Sequence, residues 1–337
     1  MTKILVTGGA GYIGSHTVVE LINAGYTPVI ADNFSNSHPS VLQALHNITQ
    51  KEIVCHNIDC TDYQALKNVF KQEKNIGGVI HFAAYKAVGE SVKLPLKYYH
   101  NNIGSLVALL RIMEEFNVNP FVFSSSCTVY GEPDTLPVNE SIPRATVESP
   151  YGNTKKISEE IIEDFARQAD IQAVILRYFN PIGAHPSAII GELPLGVPNN
   201  LVPFITQTAA GIREKLTIFG NDYHTSDGTC IRDYIHVVDL ARAHVKALEF
   251  IKKSTNKGYS EVFNIGTGKG NSVMELVKTF LEVTNQPLNY EIGPRRPGDV
   301  EKIWSEVEKS RNVLGWVAEY SLKDALLHAW NWQKTLN

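Results

Sequence analysis

Short apolar runs alternate with stretches of helical periodicity through the first half of the chain. The runs lie at 4–6, 28–31, 53–54, 78–84, 121–123 and 173–176, and polar or small residues follow each of them. Between the fourth and fifth of these runs, apolar residues recur at helical spacing over 101–116. Apolar runs joined by helices indicate parallel strands covered on both faces, so the pattern predicts an α/β protein with a doubly wound parallel sheet. Such a sheet binds its ligands outside the carboxyl ends of its strands.

The pattern changes after residue 180. Residues 181–203 are rich in Pro, Gly and Asn, and beyond them the strand candidates are short, at 216–219, 234–238 and 262–265. Helices are predicted at 239–252, 272–284 and 321–335. We therefore expect a first domain over 1–180, to which a later segment at about 232–250 returns, and a second, smaller domain over 181–337.

Charge and cysteine usage narrow the class of protein. The 337 residues include 31 basic and 35 acidic ones, a formal net charge of −4, with no Lys/Arg block, so a nucleic-acid partner is not expected. The four cysteines form no Cys-x-x-Cys pair, which predicts neither a metal site nor a disulfide framework and favours a reducing compartment. The chain starts almost directly with an apolar strand, and no run reaches membrane-spanning length, so we expect a soluble, cytoplasmic protein without a membrane partner.

A glycine-rich turn follows the first strand. Gly8, Gly11 and Gly14 precede a helical stretch, and Asp32 ends the second strand 18 residues after Gly14. Glycines let the backbone approach a pyrophosphate that lies on the helix N-terminus, and the acid is spaced to bind a ribose. The pattern predicts a dinucleotide site, with a plain structural turn as the alternative. Asp32 favours NAD over NADP because a carboxylate repels a 2′-phosphate.

A second motif lies at the start of another predicted helix. Ser149 is a candidate N-cap and Pro150 a first-turn residue, so Tyr151 and Lys155 fall one turn apart on one helical face. A nearby cation and a helix N-terminus both favour a phenolate, which predicts Tyr151 as a base near neutral pH. The alternative is a surface tyrosine and a surface lysine on an amphipathic helix.

Motifs spread over nearly the whole chain resemble the extended short-chain dehydrogenase/reductase family and, within it, the UDP-glucose (UDP-galactose) 4-epimerases. The glycine turn and Tyr151-Gly152-Asn153-Thr154-Lys155 mark the wider family, whereas 86–91 and Asn180-Pro181-Ile182-Gly183 point more narrowly to the epimerases. The remaining matching stretches are 15–16, 32–33, 81–84, 124–131, 177–186, 198–201, 219–223 and 232–237.

This resemblance implies a Rossmann-type sheet with a smaller α/β C-terminal substrate domain, and NAD as cofactor. The implied reaction interconverts UDP-glucose and UDP-galactose by transient oxidation at C4, a 4-keto intermediate and return of hydride to the opposite face. Tyr151 would exchange the proton, Lys155 would hold the nicotinamide ribose, and Ser126 would bridge the substrate and Tyr151. A homodimer packed through 101–116 and 151–168 is also implied.

The resemblance assigns two sets of binding residues. The NAD contacts are Gly8, Gly11, Tyr12, Ile13, Gly14, Asp32, Asn33, Ser35, Asn36, Asp59, Cys60, Phe82, Ala83, Lys86, Asn101, Tyr151, Lys155 and Tyr178. The UDP-sugar contacts are Lys86, Ser126, Thr128, Tyr151, Phe179, Asn180, Asn200, Leu201, Thr217, Phe219, Arg232, Arg296, Asp299 and Ile303. Arg232 and Arg296 suit a diphosphate because guanidinium groups bind its oxygens in pairs. Cys60 departs from the family pattern and is expected to make only a backbone contact.

Ile303 leaves the substrate range open. It occupies the family's gate over the sugar 2-position, where tyrosine closes the pocket and a small residue admits N-acetyl groups. Isoleucine is intermediate, so an epimerase of UDP-GlcNAc and UDP-GalNAc, or one with both specificities, remains an alternative.

Two further alternatives are weaker. A nucleotide-sugar 4,6-dehydratase shares the first oxidation but needs an additional acid and base, and no carboxylate lies in 124–131. A cofactor-sensing regulator without catalysis would not need the Tyr151 and Lys155 pair. His81, His185 and His236 are expected to have structural roles.

Overall fold

The structure is a computed structural model that describes residues 1–147, 149–254, 258–296 and 298–336. Its strands are β1 Lys3–Thr7, β2 Thr27–Asp32, β3 Val54–Asn57, β4 Ile76–His81, β5 Phe121–Ser126, β6 Gln172–Tyr178, β7 Asn180–Ile182, β8 Leu216–Phe219, β9 Ile231–His236, β10 Tyr259–Ile265, β11 Gly270–Ser272, β12 Tyr290–Gly293 and β13 Lys302–Ile303. Its α-helices are α1 Tyr12–Asn23, α2 Ser40–Thr49, α3 Tyr63–Gln72, α4 Val88–Lys93, α5 Pro95–Tyr98, α6 Gly104–Glu115, α7 Pro150–Ala169, α8 Leu201–Ala209, α9 Val237–Lys253, α10 Val273–Thr284 and α11 Leu322–Lys334.

Seven parallel strands form the main sheet, in the order β10-β6-β5-β4-β1-β2-β3. The chain runs outward from β1 to β3 and then returns to start the other half at β4, which is the Rossmann-type winding. This confirms the predicted fold class. The reversal between β1 and β4 opens a crevice at the carboxyl edge of the sheet, where ligands bind in such folds.

Alternating apolar residues along each strand give the sheet a hydrophobic core on both faces. On one face Ile4 and Val6 pack with α1 and α9, and on the other Leu5 packs with α3, α6 and α7. Successive strand side chains point to opposite faces, so a continuous apolar run serves both layers.

The last strand of the main sheet comes from the second half of the chain. β10 pairs with β6 from Tyr259 to Ile265, and α9 packs on α1. α9 and β10 thus lie with the main sheet, whereas β9, which the expected returning segment of about 232–250 also includes, pairs in a smaller sheet. The boundary at residue 180 itself stays a prediction.

The rest of the second half builds two small sheets and a separate core. β11, β9 and β13 form one sheet, with β7 also paired to β9, and β8 pairs with β12. Phe280 and Trp330 are among the buried residues between α8, α10 and α11. None of the helices in the described ranges is both long enough and apolar enough to cross a membrane.

Candidate active site

A cavity of about 550 Å³ lies at the carboxyl edge of the main sheet. One wall is the turn between β1 and α1 with the ends of β2 and β4, and the opposite wall is the segment 189–200. Tyr151, Lys155 and Tyr178 close the cavity at the middle of the sheet. The strand ends place these groups together, as the sequence pattern predicts.

The glycine turn fits a bound pyrophosphate. α1 begins after Gly11, its N-cap residue, which has no side chain to cap the helix. The first turn of α1 also carries no acidic residue. A Cβ on Gly14 would come within 2.3 Å of the Gly8 carbonyl oxygen, so only glycine allows the turn to close this tightly. Uncapped N–H groups at a helix N-terminus are donors for an anion.

Asp32 lies at the end of β2 and faces the same cavity. One carboxylate oxygen accepts a hydrogen bond from the Ala10 N–H at 3.0 Å, and the other accepts one from the Phe34 N–H at 2.8 Å. The Ser37 hydroxyl also donates to the second of these oxygens, Oδ1, at 3.3 Å, whereas Oδ2, bonded to Ala10, can still accept from another donor. The geometry fits a ribose hydroxyl.

The helix that carries Tyr151 and Lys155 begins as predicted. Ser149 is its N-cap and accepts a hydrogen bond from the Gly152 N–H, and Pro150 is in the first turn. Both Tyr151 and Lys155 are buried, at 7% and 5% exposure, which excludes the alternative of a surface pair. The Lys155 ammonium donates to the Ser124 carbonyl oxygen at 2.7 Å and lies over the Phe123 ring.

Burial opposes the expected activation of Tyr151 by Lys155. Burial raises the pKa of the Tyr151 phenol far above its usual value, and a hydrogen bond with Ser126 only partly offsets this. Burial lowers the pKa of Lys155 to about 8, and the Glu159 carboxylate opposes that shift. Desolvation is the largest cause of both shifts, because burial disfavours the charged form of each group.

The segment after β5 presents Ser126 and Thr128 beside Tyr151. Ser126 caps the short 3₁₀ turn Cys127–Tyr130 by accepting from the Thr128 N–H at 3.2 Å. Among the described residues, the Thr128 hydroxyl is buried and has no hydrogen-bond partner. A buried hydroxyl without a partner is costly, so it fits a ligand that supplies one.

The other predicted NAD contacts also line the cavity. Phe82, Ala83 and Lys86 follow β4, and Asp59 and Cys60 follow β3. Burial raises the pKa of the Cys60 thiol to about 12, so it is not a reactive group. The remaining predicted contacts that line it are Tyr12, Ile13, Asn33, Ser35, Asn36 and Asn101.

Most predicted UDP contacts lie outside the lining of this cavity. Lys86, Tyr151 and Asn200 line it, whereas Phe219, Arg296 and Asp299 form a separate cluster. In that cluster Arg296 binds the Asp299 carboxylate with both Nε, at 3.1 Å, and Nη2, at 2.5 Å, and lies over the Phe219 ring. Thr217 pairs with Glu291 in the same small sheet, and Leu201 begins α8.

Ile303 connects the two regions. It pairs in register with Arg232 and is buried with Phe179 and Cys127 in one apolar cluster. Asn180 begins β7, which pairs with β9. The predicted gate residue thus lies behind the strand end that carries Ser126.

Glu192, which no sequence pattern indicates, also lines the cavity. Its carboxylate accepts hydrogen bonds from Lys86 Nζ at 3.0 Å and from Asn200 Nδ2 at 2.6 Å, so two predicted ligand contacts from different parts of the chain meet on it. Glu192 lies in the irregular segment after residue 180, where periodicity gives no signal. Only the charge of a carboxylate among glycines and prolines could have drawn attention to it.

His81, His185 and His236 lie where structural roles are expected. His81 is buried in β4 and shares a hydrogen bond with the Thr7 hydroxyl, 2.7 Å away. His236 caps α9 and shares a hydrogen bond with His328. His185 shares one with the Ser187 hydroxyl in the loop after β7.

Comparison with known proteins identifies the family. Residues 5–328 match the family described as GDP-mannose 4,6 dehydratase. UDP-glucose 4-epimerase of Dictyostelium discoideum is 50% identical over 332 residues, 98% of this chain and 95% of that protein.

Solved structures agree. A UDP-glucose 4-epimerase from Stenotrophomonas maltophila, with bound NAD and formylated UDP-arabinopyranose, has a TM-score of 0.96 at 44% identity and covers 100% of this chain and 99% of its own. That from Bifidobacterium longum, in complex with NAD⁺ and UDP, has a TM-score of 0.94 at 43% identity, with 99% and 98% covered. The chain belongs to the UDP-glucose 4-epimerase family, within the extended short-chain dehydrogenases/reductases.

Proposed function

We propose that this protein interconverts UDP-glucose and UDP-galactose with NAD as its cofactor. The observation that carries the proposal is the burial of Tyr151 against Ser126 at the inner end of a cavity whose outer part is built from the glycine turn and Asp32. A proton-exchanging group therefore lies within one cavity with a dinucleotide cradle. The bound NAD of the two solved relatives supports the choice of cofactor.

The cofactor preference follows from Asp32. Its carboxylate is held by two backbone N–H groups, so it cannot turn away from a ligand without losing both bonds. A 2′-phosphate placed there would meet a fixed negative charge, whereas a ribose hydroxyl would donate to it. NAD rather than NADP fits this arrangement.

When bound, NAD supplies the acceptor and the donor of the hydride, and the chain supplies the proton transfer. Tyr151 takes the proton of the sugar 4-hydroxyl and returns it after the 4-keto sugar has turned over. Ser126, bonded to Tyr151, holds the same oxygen, and Thr128 offers a further hydroxyl. Lys155 supplies a buried cation beside the strand end.

The UDP group would lie along the second half of the chain. Arg232 and Arg296 supply positive charge for the diphosphate, with Asn180, Asn200 and the N-terminus of α8 at Leu201 as neutral donors. Asp299 would hold the uridine ribose, and Thr217 and Phe219 would flank the uracil. Arg296 forms an ion pair with Asp299, and phosphate contacts from Arg296 would have to replace that ion pair.

Dehydration is disfavoured although the matching family is described by a dehydratase. No carboxylate lies between Ser124 and Gly131, beside the position of the ketone. Glu159 is the first acidic residue after Tyr151 on α7, and its side chain is fully buried and bound to Arg177. Without an additional acid and base the ketone can only accept hydride again, which gives the epimer.

The expected homodimer and cytoplasmic location remain proposals. α6 exposes Val107 at 39%, and α7 carries the partly exposed Ile157 and Ile161, which supports an apolar contact between copies through these helices. Light scattering of the purified protein tests it. The four cysteines are unpaired, which is compatible with a reducing compartment.

The reaction is tested directly by NMR. Purified protein and UDP-glucose, without added reductant, should give UDP-galactose, observed from the sugar anomeric and C4 protons. Tyr151→Phe should lower kcat by about 10²- to 10⁴-fold, because it removes the proton-exchanging hydroxyl. Tyr99→Phe, whose hydroxyl bonds only to Asn153 among described contacts, is the matched control. A Tyr151→Phe enzyme that kept most of the rate would refute the assignment.

A further inference from the structure

Glu159 lies in the middle of a fully buried ionic network beneath the site. Its side chain is 0% exposed and that of Arg177 is 4% exposed. Arg177 donates from Nε and Nη2 to the Glu159 carboxylate at 3.0, 3.2 and 2.6 Å, and the Ser125 hydroxyl donates to it at 2.5 Å. Arg177 also bonds Tyr130, whose hydroxyl donates to Asn264 on β10. The carboxylate therefore joins α7 to three strands of the main sheet.

The partners of Glu159 adjoin proposed site residues along the chain. Ser125 precedes Ser126, Arg177 precedes Tyr178, and these form consecutive register pairs of β5 and β6. On α7, Tyr151, Lys155 and Glu159 follow one another at one-turn spacing on one face. Glu159 thus holds the helix against the strand ends one residue before the groups that meet the ligand.

Lys155 is electrostatically coupled to Glu159. Burial lowers the pKa of Lys155 to about 8, and the Glu159 charge raises it. The other titratable groups around Lys155 are Tyr151 on its own helix, His81 on β4 and Tyr178 on β6, and His81 has its pKa lowered to about 3 by burial and by Lys155. Neutral His81 and the two neutral phenols leave Glu159 as the anion among them.

Glu159 itself faces charges from two further elements. Arg177 binds it from β6, and Arg144, in the segment before α7, lies 3.4 Å from Oε2 and binds Glu163 at 2.7 and 2.9 Å. Glu163 is one turn further along α7 and partly exposed. The two glutamates share a helix face and an arginine, but only Glu159 contacts the strand that carries Ser126.

We propose that Glu159 is a positioning residue for the reaction: its carboxylate sets the place of Tyr151 and Lys155 against Ser126 and supplies a buried negative charge one turn from Lys155. The proposal rests on the proposed function, since it assigns Glu159 a part in that reaction. A purely structural ion pair would stabilise the fold weakly and leave the titration of Lys155 unchanged.

The central experiment compares Glu159→Gln with Glu163→Gln. Loss of the Glu159 charge should move the alkaline limb of the pH profile of kcat/KM to lower pH by roughly half a unit to one unit, because an anion already shared with Arg177 acts at the weak end of the range for a close opposite charge. It should also lower kcat by about ten-fold or more with little change in KM, since misplacement of the reacting groups affects the transition state. Glu163→Gln should change neither quantity.

A second readout does not depend on turnover. In protein labelled with [¹³Cε]lysine, the resonance that disappears in Lys155→Met reports the titration of Lys155. It should titrate at lower pH in Glu159→Gln than in the wild type. If the wild type proved inactive on UDP-glucose, the proposed function would fail, while this titration would still test the role of Glu159.

Two more variants protect the test against misfolding. The variant Glu159→Gln/Arg177→Met removes both charges of the pair, and it should shift the Lys155 titration in the same direction but by less, because loss of the Arg177 cation opposes the loss of the Glu159 anion. Ser125→Ala keeps both charges and should lower kcat while leaving the alkaline limb in place. The proposal is overturned by an unshifted Lys155 titration in folded Glu159 variants, or by an unchanged kcat in Ser125→Ala.

Discussion

Lys155 donates its ammonium hydrogen bond to the backbone carbonyl of Ser124, 2.7 Å away, while the Tyr151 phenol, one turn earlier on α7, interacts with the side chain of Ser126. The two partners lie two residues apart on β5, so the strand end holds the lysine and the tyrosine at separate points. Burial of the phenol between these elements raises its pKa.

This arrangement predicts that Tyr151 becomes a base only when the cofactor is present. The contribution of Tyr151 to the phenolate absorbance is the difference between the wild type and Tyr151→Phe. Without NAD, this difference should not change as the pH is raised to 10.0, the ordinary pKa of tyrosine. Saturating NAD⁺ should make the same difference spectrum titrate at lower pH, because a positive charge nearby favours the phenolate. A titration that is the same with and without NAD⁺ would show that the chain alone sets the acidity.

Asp32→Asn should weaken NAD binding by about ten- to a hundred-fold, the range for losing hydrogen bonds to a charged group. It should also narrow the preference for NAD over NADP, because the repulsion of the 2′-phosphate is removed. Isothermal titration calorimetry with both cofactors measures the effect. Asp134→Asn, at an exposed position, is the control, and equal NAD affinities of the two variants would exclude Asp32 from the site.

Ile303→Tyr tests the substrate range. Ile303 is 4% exposed and packed with Phe179, so a tyrosine must displace its neighbours toward the sugar. We expect kcat/KM for UDP-GlcNAc to fall relative to that for UDP-glucose, and the Tm to drop, since overpacking costs about 1–3 kcal/mol. Ile303→Val is the control. An unchanged ratio between the two substrates would show that Ile303 does not limit access to the 2-position.

Stability should decline in acid because several histidines are buried in the neutral form. Burial lowers the pKa of His16, His81 and His236 to about 3 and that of His244 to about 4. Below pH 6.5 these histidines bind protons in the unfolded chain but not in the folded chain. The free energy of unfolding therefore falls as pH falls toward these values.

At pH 5 each of these groups costs about 2 kcal/mol of folding stability. His244→Phe should therefore reduce the loss of Tm between pH 7.5 and pH 5, measured by calorimetry, whereas the exposed His38→Gln should not. If the Tm of both variants fell between pH 7.5 and pH 5 by as much as that of the wild type, other groups would govern the acid sensitivity.

The first half of the fold was predictable because its signals are local. Strand periodicity, the glycine turn and the Ser149-Pro150 helix start each lie within a few neighbouring residues, and the structure has all three. The resemblance, rather than any pattern, supplied the cofactor contacts that line the cavity.

What escaped prediction depends on distant residues. Glu192 meets Lys86 and Glu159 meets Arg177 only after folding, and neither glutamate stands out in the sequence. The direction of the Tyr151 pKa shift is not readable from the sequence, because helix spacing shows the nearby cation but not the depth of burial. Burial of Tyr151 in the folded protein makes its pKa rise rather than fall.

The pairing of β10 with β6 also constrains how the protein is made. During synthesis, β6 is an unpaired edge strand until about eighty further residues have been added and β10 can pair with it. An unpaired edge strand can pair with other chains. A polypeptide that ended at residue 180 would leave this edge uncovered, and we expect it to aggregate more readily than the full chain.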